Sequence, residues 1–224
     1  FSPLVDFQSS KHIDKQSATN DSNLPTKDSD NDGMPDWWEI GFGLNPYDAL
    51  DAKGLLKGAI RDNNPVVFLE HELLYNEKFE ISDDEEILEF GKAKIMKKGE
   101  DISLISFSRG VDLALEVEKE LEGNGFSAEV INLRSIKPLD IETIINSVKK
   151  TNRVAVIEEG WQQSGVGAEV IAVIIKNAFD FLDAPICRVC SADVPMAYAP
   201  NLVQEFLPSV SKILEKVNKV MYLD

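Results

Sequence analysis

Six positions in one short stretch have the spacing needed to hold a metal ion. Asp28, Asp30, Asp32, Gly33, Asp36 and Glu39 stand at positions 1, 3, 5, 6, 9 and 12 of a twelve-residue window, matching D-x-[DN]-x-[DN]-G-x5-E in full. A calcium ion takes roughly six to eight hard oxygens, and alternate carboxylates on a tightly turning loop supply them. Gly33 permits the sharp turn, Met34 offers its carbonyl, and Glu39 closes the shell with both oxygens. The plainer reading, a solvated Asp-rich linker, has to explain six matched positions by composition alone. The stretch before the loop, Gln16 to Lys27, is polar and broken by Pro25, and the exit helix around Trp37-Trp38-Glu39-Ile40 is cut short by Gly41 and Gly43. The loop is therefore not half of a full paired hand, and Trp37 and Trp38 read as its small hydrophobic base.

The remaining chemistry-bearing residues are sparser. His71 follows Leu69-Glu70 at the expected carboxyl end of a strand, where open α/β sheets place ligands. It is a candidate to face a substrate channel, but no partner is identifiable and an ordinary polar residue at a strand exit is the preferred reading. His12 has still less support. Glu158, Glu159 and Trp161 end another expected strand and could face an interface; adjacent carboxylates with no visible partner are read as solvated. Gly165-x-Gly167 precedes a helix but lacks the last glycine of a dinucleotide fingerprint, so the glycines are read as letting the helix approach a neighbouring backbone. Cys187 and Cys190 form Cys-x-x-Cys on an expected strand with side chains on opposite faces, which argues against a redox pair. With no second pair a zinc site is also disfavoured, leaving buried free thiols in a reducing compartment.

These residues need elements to position them. Lys53 to Ile60 reads as a helix, stopped by Asn63-Asn64-Pro65 before a short buried strand Val66 to Leu69. Ser82 to Glu86 is an acidic linker. From Gly91 the pattern is regular: an edge hairpin Lys92 to Met96, then strands at Ile102 to Phe107, Ala128 to Leu133, Arg153 to Ile157 and Ile186 to Val189. Between them lie helices at Val111 to Leu121, Ile141 to Lys149 and Val166 to Ala178. A last helical region from Leu202 to about Val217 should be broken at Pro208 and carry one apolar stripe through Val203, Phe206, Leu207, Val210, Ile213, Leu214 and Val217. The expected fold is α/β, a mostly parallel sheet with helices on both faces, preceded by an irregular calcium-loop leader.

Composition agrees with that division. Residues 1 to 52 hold ten acids against three lysines and no apolar periodicity of useful length, so they cannot build a core. The expected organisation is a disordered polar leader over 1–27, a calcium-binding loop module over 28–50, a remnant of another domain over 51–80 and the α/β domain over 91–224. A formal charge of -16 disfavours a nucleic-acid partner, and the longest apolar run, Val170 to Ile175, is far too short to span a membrane. The chain begins at Phe1 without a secretory pattern, which reads as an internal cut or a processed end.

Two resemblances are carried by these residues. Asp28 to Pro46, DSDNDGMPDWWEIGFGLNP, resembles the thrombospondin type 3-like calcium repeats of secreted bacterial proteins. From Asp51 onward the chain resembles the β subunit of the decarboxylating component of the pyruvate dehydrogenase complex. The match is carried by Ala59-Ile60-Arg61-Asp62, Pro65 to Glu70, Gly91-Lys92-Ala93, Ser108-Arg109 and Val130 to Arg134. It continues through Pro138-Leu139-Asp140, Glu159-Gly160-Trp161, Gly165 to Glu169, and Ala192 to Met196. Asn76 and Ala197 depart from residues usual in the family.

The second resemblance implies a carboxy-terminal transketolase-like domain, two α and two β chains enclosing thiamine diphosphate with Mg2+, and docking to a dihydrolipoyl acetyltransferase core. It also implies that residues 51–80 are the end of a pyrimidine-binding domain whose activating acid and active-site histidine have no counterpart here. The G-D-G to N-N magnesium and diphosphate motif, which the family carries on its α subunit, is absent as well. The expected activity of the parent enzyme is oxidative decarboxylation of pyruvate with acetyl transfer to lipoyl groups, with this chain inactive by itself. Such an enzyme works in bacterial cytoplasm or the mitochondrial matrix, whereas calcium repeats of this kind belong outside cells. The competing readings are a calcium-binding spacer or adhesion-type module, or a chimeric non-catalytic chain joined near residue 50.

Overall fold

In the computed structural model the described residues are 49–71 and 87–223. The calcium-loop ligands expected at Asp28, Asp30, Asp32, Met34, Asp36 and Glu39, and the polar leader before them, lie outside these residues, as does the acidic stretch Ser82 to Glu86.

Five strands follow in chain order: β1 Lys94–Lys97, β2 Ile102–Ser106, β3 Ala128–Asn132, β4 Val154–Ile157 and β5 Cys187–Val189. They lie side by side in the order β1-β3-β2-β4-β5. All pairs are parallel except β1 with β3, which is antiparallel with Ile95 opposite Ile131 and a bulge before Lys97. The expected edge hairpin is thus one edge strand whose partner lies more than thirty residues on. Local spacing signals an edge but does not name the strand that covers it.

Each central strand is buried along its whole length, and period two divides its side chains between two cores. Ile102, Leu104, Val130, Ala155, Ile157 and Val189 face one layer, covered by α2 (Gly110–Gly123) and α6 (Val210–Met221). Ile105, Ile131, Val154 and Val156 face the other, covered by α3 (Ile141–Thr151) and α4 (Val166–Ala178). The sheet with helices on both faces is the expected fold. α3 begins at Asp140, whose carboxylate accepts from Thr143 N at 3.1 Å and Thr143 Oγ1 at 2.7 Å and, across the fold, from Ala93 N at 2.9 Å.

The last helical region breaks at Pro208 as expected: α5 is Pro200–Phe206, and α6 starts after Ser209, whose hydroxyl accepts from Lys212 N. The expected stripe runs across the break: Val203, Phe206, Leu207, Val210 and Leu214 are partly buried and Ile213 and Val217 fully buried. It deepens along the chain, since α5 buries no residue fully, whereas α6 buries Ile213, Val217 and Met221.

The first helix, α1 (Ala49–Arg61), packs against the segment leading into the sheet. Leu88 N donates to Gly54 O at 3.3 Å, and a Cβ on Gly58 would stand 2.9 Å from Leu88 O, so only glycine allows this approach. After α1 the expected buried strand does not form. Residues 65–71 belong to no strand, and Val67 and Leu69 are 83% and 81% exposed. A strand needs neighbours to hydrogen-bond, and no described residue supplies them. No helix among the described residues is long and apolar enough to cross a membrane.

Candidate functional site

The carboxyl ends of β2, β4 and β5 meet at two carboxylates. Glu158 follows β4, and strand alternation carries it to the same face as Val154 and Val156, beneath the start of α4. On the neighbouring strand Arg188 lies on that face too, since Val156 is its register partner. The two meet closely: Arg188 Nε and Nη2 donate to Glu158 Oε1 at 2.8 and 2.5 Å, with side chains only 10% and 1% exposed. The other oxygen, Oε2, accepts from Gly167 N at 3.1 Å. α4 starts at a glycine with no capping side chain, so this carboxylate from another element satisfies its first turn and meets the positive end of its dipole.

The two glycines make that possible. A Cβ on Gly167 would stand 2.6 Å from Glu158 Oε1 and 2.8 Å from Arg188 Nε, and one on Gly165 would stand 2.7 Å from Glu158 Oε2. The reading of Gly165-x-Gly167 as a close backbone approach holds at Gly165, where a Cβ would stand 2.7 Å from Trp161 O, and both glycines also admit the buried ion pair.

Glu159 points the other way. Its Oε1 accepts from Arg109 Nη1 at 2.9 Å, and its Oε2 lies 2.6 Å from His71 Nε2. Arg109 is placed by Ser108, which takes a left-handed φ of 53° two residues after β2 and turns the chain into α2. Ser191 Oγ donates to Glu159 O, tying the exit of β5 to the same point. The reading of Glu158 and Glu159 as solvated carboxylates, and of His71 as a partnerless residue at a strand exit, is therefore overturned. The partners were invisible locally because they arrive from 30 and 88 residues away.

Cys187 is buried and Cys190 half-buried, and both are free thiols. Burial, reinforced by the Glu158 carboxylate at 3.4 Å from its sulfur, pushes Cys190 up to about 11, and burial raises Cys187 as well. Both stay protonated near neutral pH and are poor nucleophiles. Beside Cys190 opens a shallow polar cavity of about 640 Å³, lined by Gln162, Arg188, Ser191, Asp193 and Lys216 among others. Lys216 Nζ is turned back onto Arg188 O at 3.0 Å. At the exit of β3, burial lowers Arg134 to about 10.

Trp161 is half exposed and donates its Nε1–H to Val194 O at 3.2 Å. Along the chain that follows, Val194, Met196, Tyr198 and Leu202 are exposed too, large apolar side chains of the kind that protein contacts cover. Among the described residues no group of three or more His, Cys, Asp or Glu side chains could hold a metal ion. The charged groups at these strand ends pair with one another, Glu158 with Arg188 and Glu159 with Arg109 and His71, and fix the elements that carry them relative to each other.

Comparison with known proteins agrees with this geometry. Residues 91–213 match the family model described as the transketolase C-terminal domain. The chain is 52% identical over 191 residues to the mitochondrial pyruvate dehydrogenase E1 component subunit beta of Dictyostelium discoideum, covering 82% of this chain and 54% of that protein. It is 51% identical over 178 residues to the corresponding subunit of Rickettsia bellii, covering 80% and 55%. The chain thus spans about half the length of the curated relatives it matches. Among solved structures, a split-gene transketolase described as an inactive beta4 tetramer matches with a TM-score of 0.55 at 27% identity, over 64% of this chain and 46% of that one.

Proposed function

The chain belongs to the transketolase C-terminal domain family, and from that premise we propose that it is the carboxy-terminal portion of a pyruvate dehydrogenase β subunit. The observation that carries this reading is the identity of about one residue in two, over some four fifths of the chain, to β subunits of Dictyostelium and Rickettsia. In the assembled enzyme the reaction is oxidative decarboxylation of pyruvate with acetyl transfer to lipoyl groups of the acetyltransferase core. There thiamine diphosphate with Mg2+ supplies the carbanion chemistry. This chain's own contribution is assembly: contact with an α subunit and a second β subunit, and docking of the core. The half-exposed Trp161 with Val194, Met196, Tyr198 and Leu202 supports a contact role, and the protonated thiols suit the reducing interior of a bacterium or mitochondrion.

The domain division belongs to the same proposal: residues 91–224 form the folding unit, with 51–80 as the end of another domain. The test is capture on a tagged α subunit of a related pyruvate dehydrogenase. The full chain should be retained, and Met196→Asp with Tyr198→Asp should release it. A chain that is not retained sinks the reading.

A second, separate role rests on the full twelve-position match from Asp28 to Glu39, which favours one bound Ca2+ there.

A further inference from the structure

A short helix that buries no residue fully needs more than packing to hold it. α5 buries none, yet it ends an uncharged excursion of the chain: from Val194 to Gln204 there is no charged residue in a sequence of net charge -16, and Val194, Met196, Tyr198 and Leu202 are exposed along it. The last carbonyls of a helix have no partners inside the helix. Here four in a row are taken up. Phe206 O accepts from Ala192 N at 2.9 Å, which closes the base of the excursion, and Gln204 O, Glu205 O and Leu207 O accept from Lys212 Nζ at 3.3, 2.6 and 3.0 Å. An ammonium group has three N–H donors, and here they meet three carbonyls at one helix end, where the helix dipole also favours a cation. Lys212 stands on a different element. It belongs to the first turn of α6, its N–H donates to the capping Ser209 hydroxyl at 3.4 Å, and its neighbour Ile213 is fully buried. The ammonium thus reaches back across Pro208 from a helix seated in the core to one that is not. A further tie holds the start of the excursion, where Trp161 Nε1–H donates to Val194 O at 3.2 Å.

We propose that the Lys212 ammonium is the latch that holds α5 and the excursion over residues 192–207 in the shape an α subunit contacts, so that removing its charge frees this surface while the sheet stays folded. The inference deepens the contact reading above and rests on it. Without the ammonium, three carbonyls at the end of a seven-residue helix lose their partner, and a helix that short does not sustain itself in water. Pro208 cannot replace it, because proline has no N–H to offer those carbonyls. An excursion loosened in this way has to be ordered again on binding, and the ordering costs affinity. Lys216, one turn further along α6, is the natural comparison: its ammonium donates to Arg188 O on β5 at 3.0 Å.

The test compares Lys212→Met, which keeps a long side chain and removes the charge, with Lys212→Arg and Lys216→Met, all in the full chain. In hydrogen exchange of the chain alone, Lys212→Met should speed the amides of Leu202 to Leu207 and of Ala192 about tenfold, while those of Ile213, Val217 and the central strands stay as slow as in the wild type. Capture of the same variant on a tagged α subunit should fall about fivefold. Lys212→Arg should restore most of both, and Lys216→Met should leave the exchange of α5 unchanged. Unchanged exchange in Lys212→Met, faster exchange with undiminished capture, or a rise spread evenly over the sheet would each overturn the proposal. A wild-type chain that the α subunit does not retain would sink the contact reading and with it the role in binding; the exchange rates of the chain alone decide separately whether Lys212 holds α5.

Discussion

Glu158 joins three elements through one carboxylate: Arg188 of β5 on one oxygen, the start of α4 on the other, and β4 through its own backbone. Breaking a buried pair leaves the partner's charge stranded, so Glu158→Ala should cost about 3–5 kcal/mol of stability in urea unfolding, while Glu158→Leu with Arg188→Met should recover much of that loss. Gly167→Ala should cost about 1–3 kcal/mol, because its methyl group would displace the same carboxylate. A loss below about 0.5 kcal/mol for either single change would mean that the pair is not sustained in solution. The calcium loop is a residue-scale claim as well. Titration followed by Trp37 and Trp38 fluorescence should show binding on the order of 10⁻⁴ to 10⁻³ M, as in extracellular modules, and Asp30→Ala with Asp32→Ala should abolish it. An unchanged response in the double variant would refute that site. The proposed loop is legible in the sequence because its expected ligands are contiguous. It conceals the Glu158 and Glu159 clusters because those ligands are gathered by the fold.

At the scale of elements, most boundaries are legible because periodicity and punctuation agree. Val166–Ala178 is a helix with the expected ends, and Pro208 divides the last helical region as its fixed φ and missing N–H require. Where the reading failed, the missing information was a partner. Val66 to Leu69 has the composition of a strand but no neighbouring strand among the described residues, and the edge hairpin is one strand paired far along the chain. Asp140 offers an element-scale prediction. Burial opposes its charge, yet hydrogen bonds from Thr143 and Ala93 outweigh that and hold its carboxyl below the ordinary value of 3.8. A lowered folded-state pKa stabilises above the unfolded pKa and is lost as pH falls through the folded value. Asp140→Ala should therefore cost about 1 kcal/mol at neutral pH, with the gap to wild type closing below about pH 4. A gap that holds its size at pH 2.5 would contradict the capping role.

At the scale of the whole molecule, the chain is a helix-covered sheet with two cores of its own, and its charged groups bind its elements to one another. Deleting residues 1–52 should hardly change Tm in the absence of calcium; a drop of ten degrees would show that the leader packs on the domain. Pyruvate-dependent dye reduction by the chain mixed with a related α subunit and thiamine diphosphate should stay at the α-only background. Turnover above it would mean that residues 51–90, His71 foremost, supply active-site groups. The most direct measurement is the mass of the full chain with that α subunit at equimolar concentration, by light scattering during size exclusion. A single species containing both polypeptides in equal number is the predicted result, and two peaks at the masses of the separate components would contradict the account.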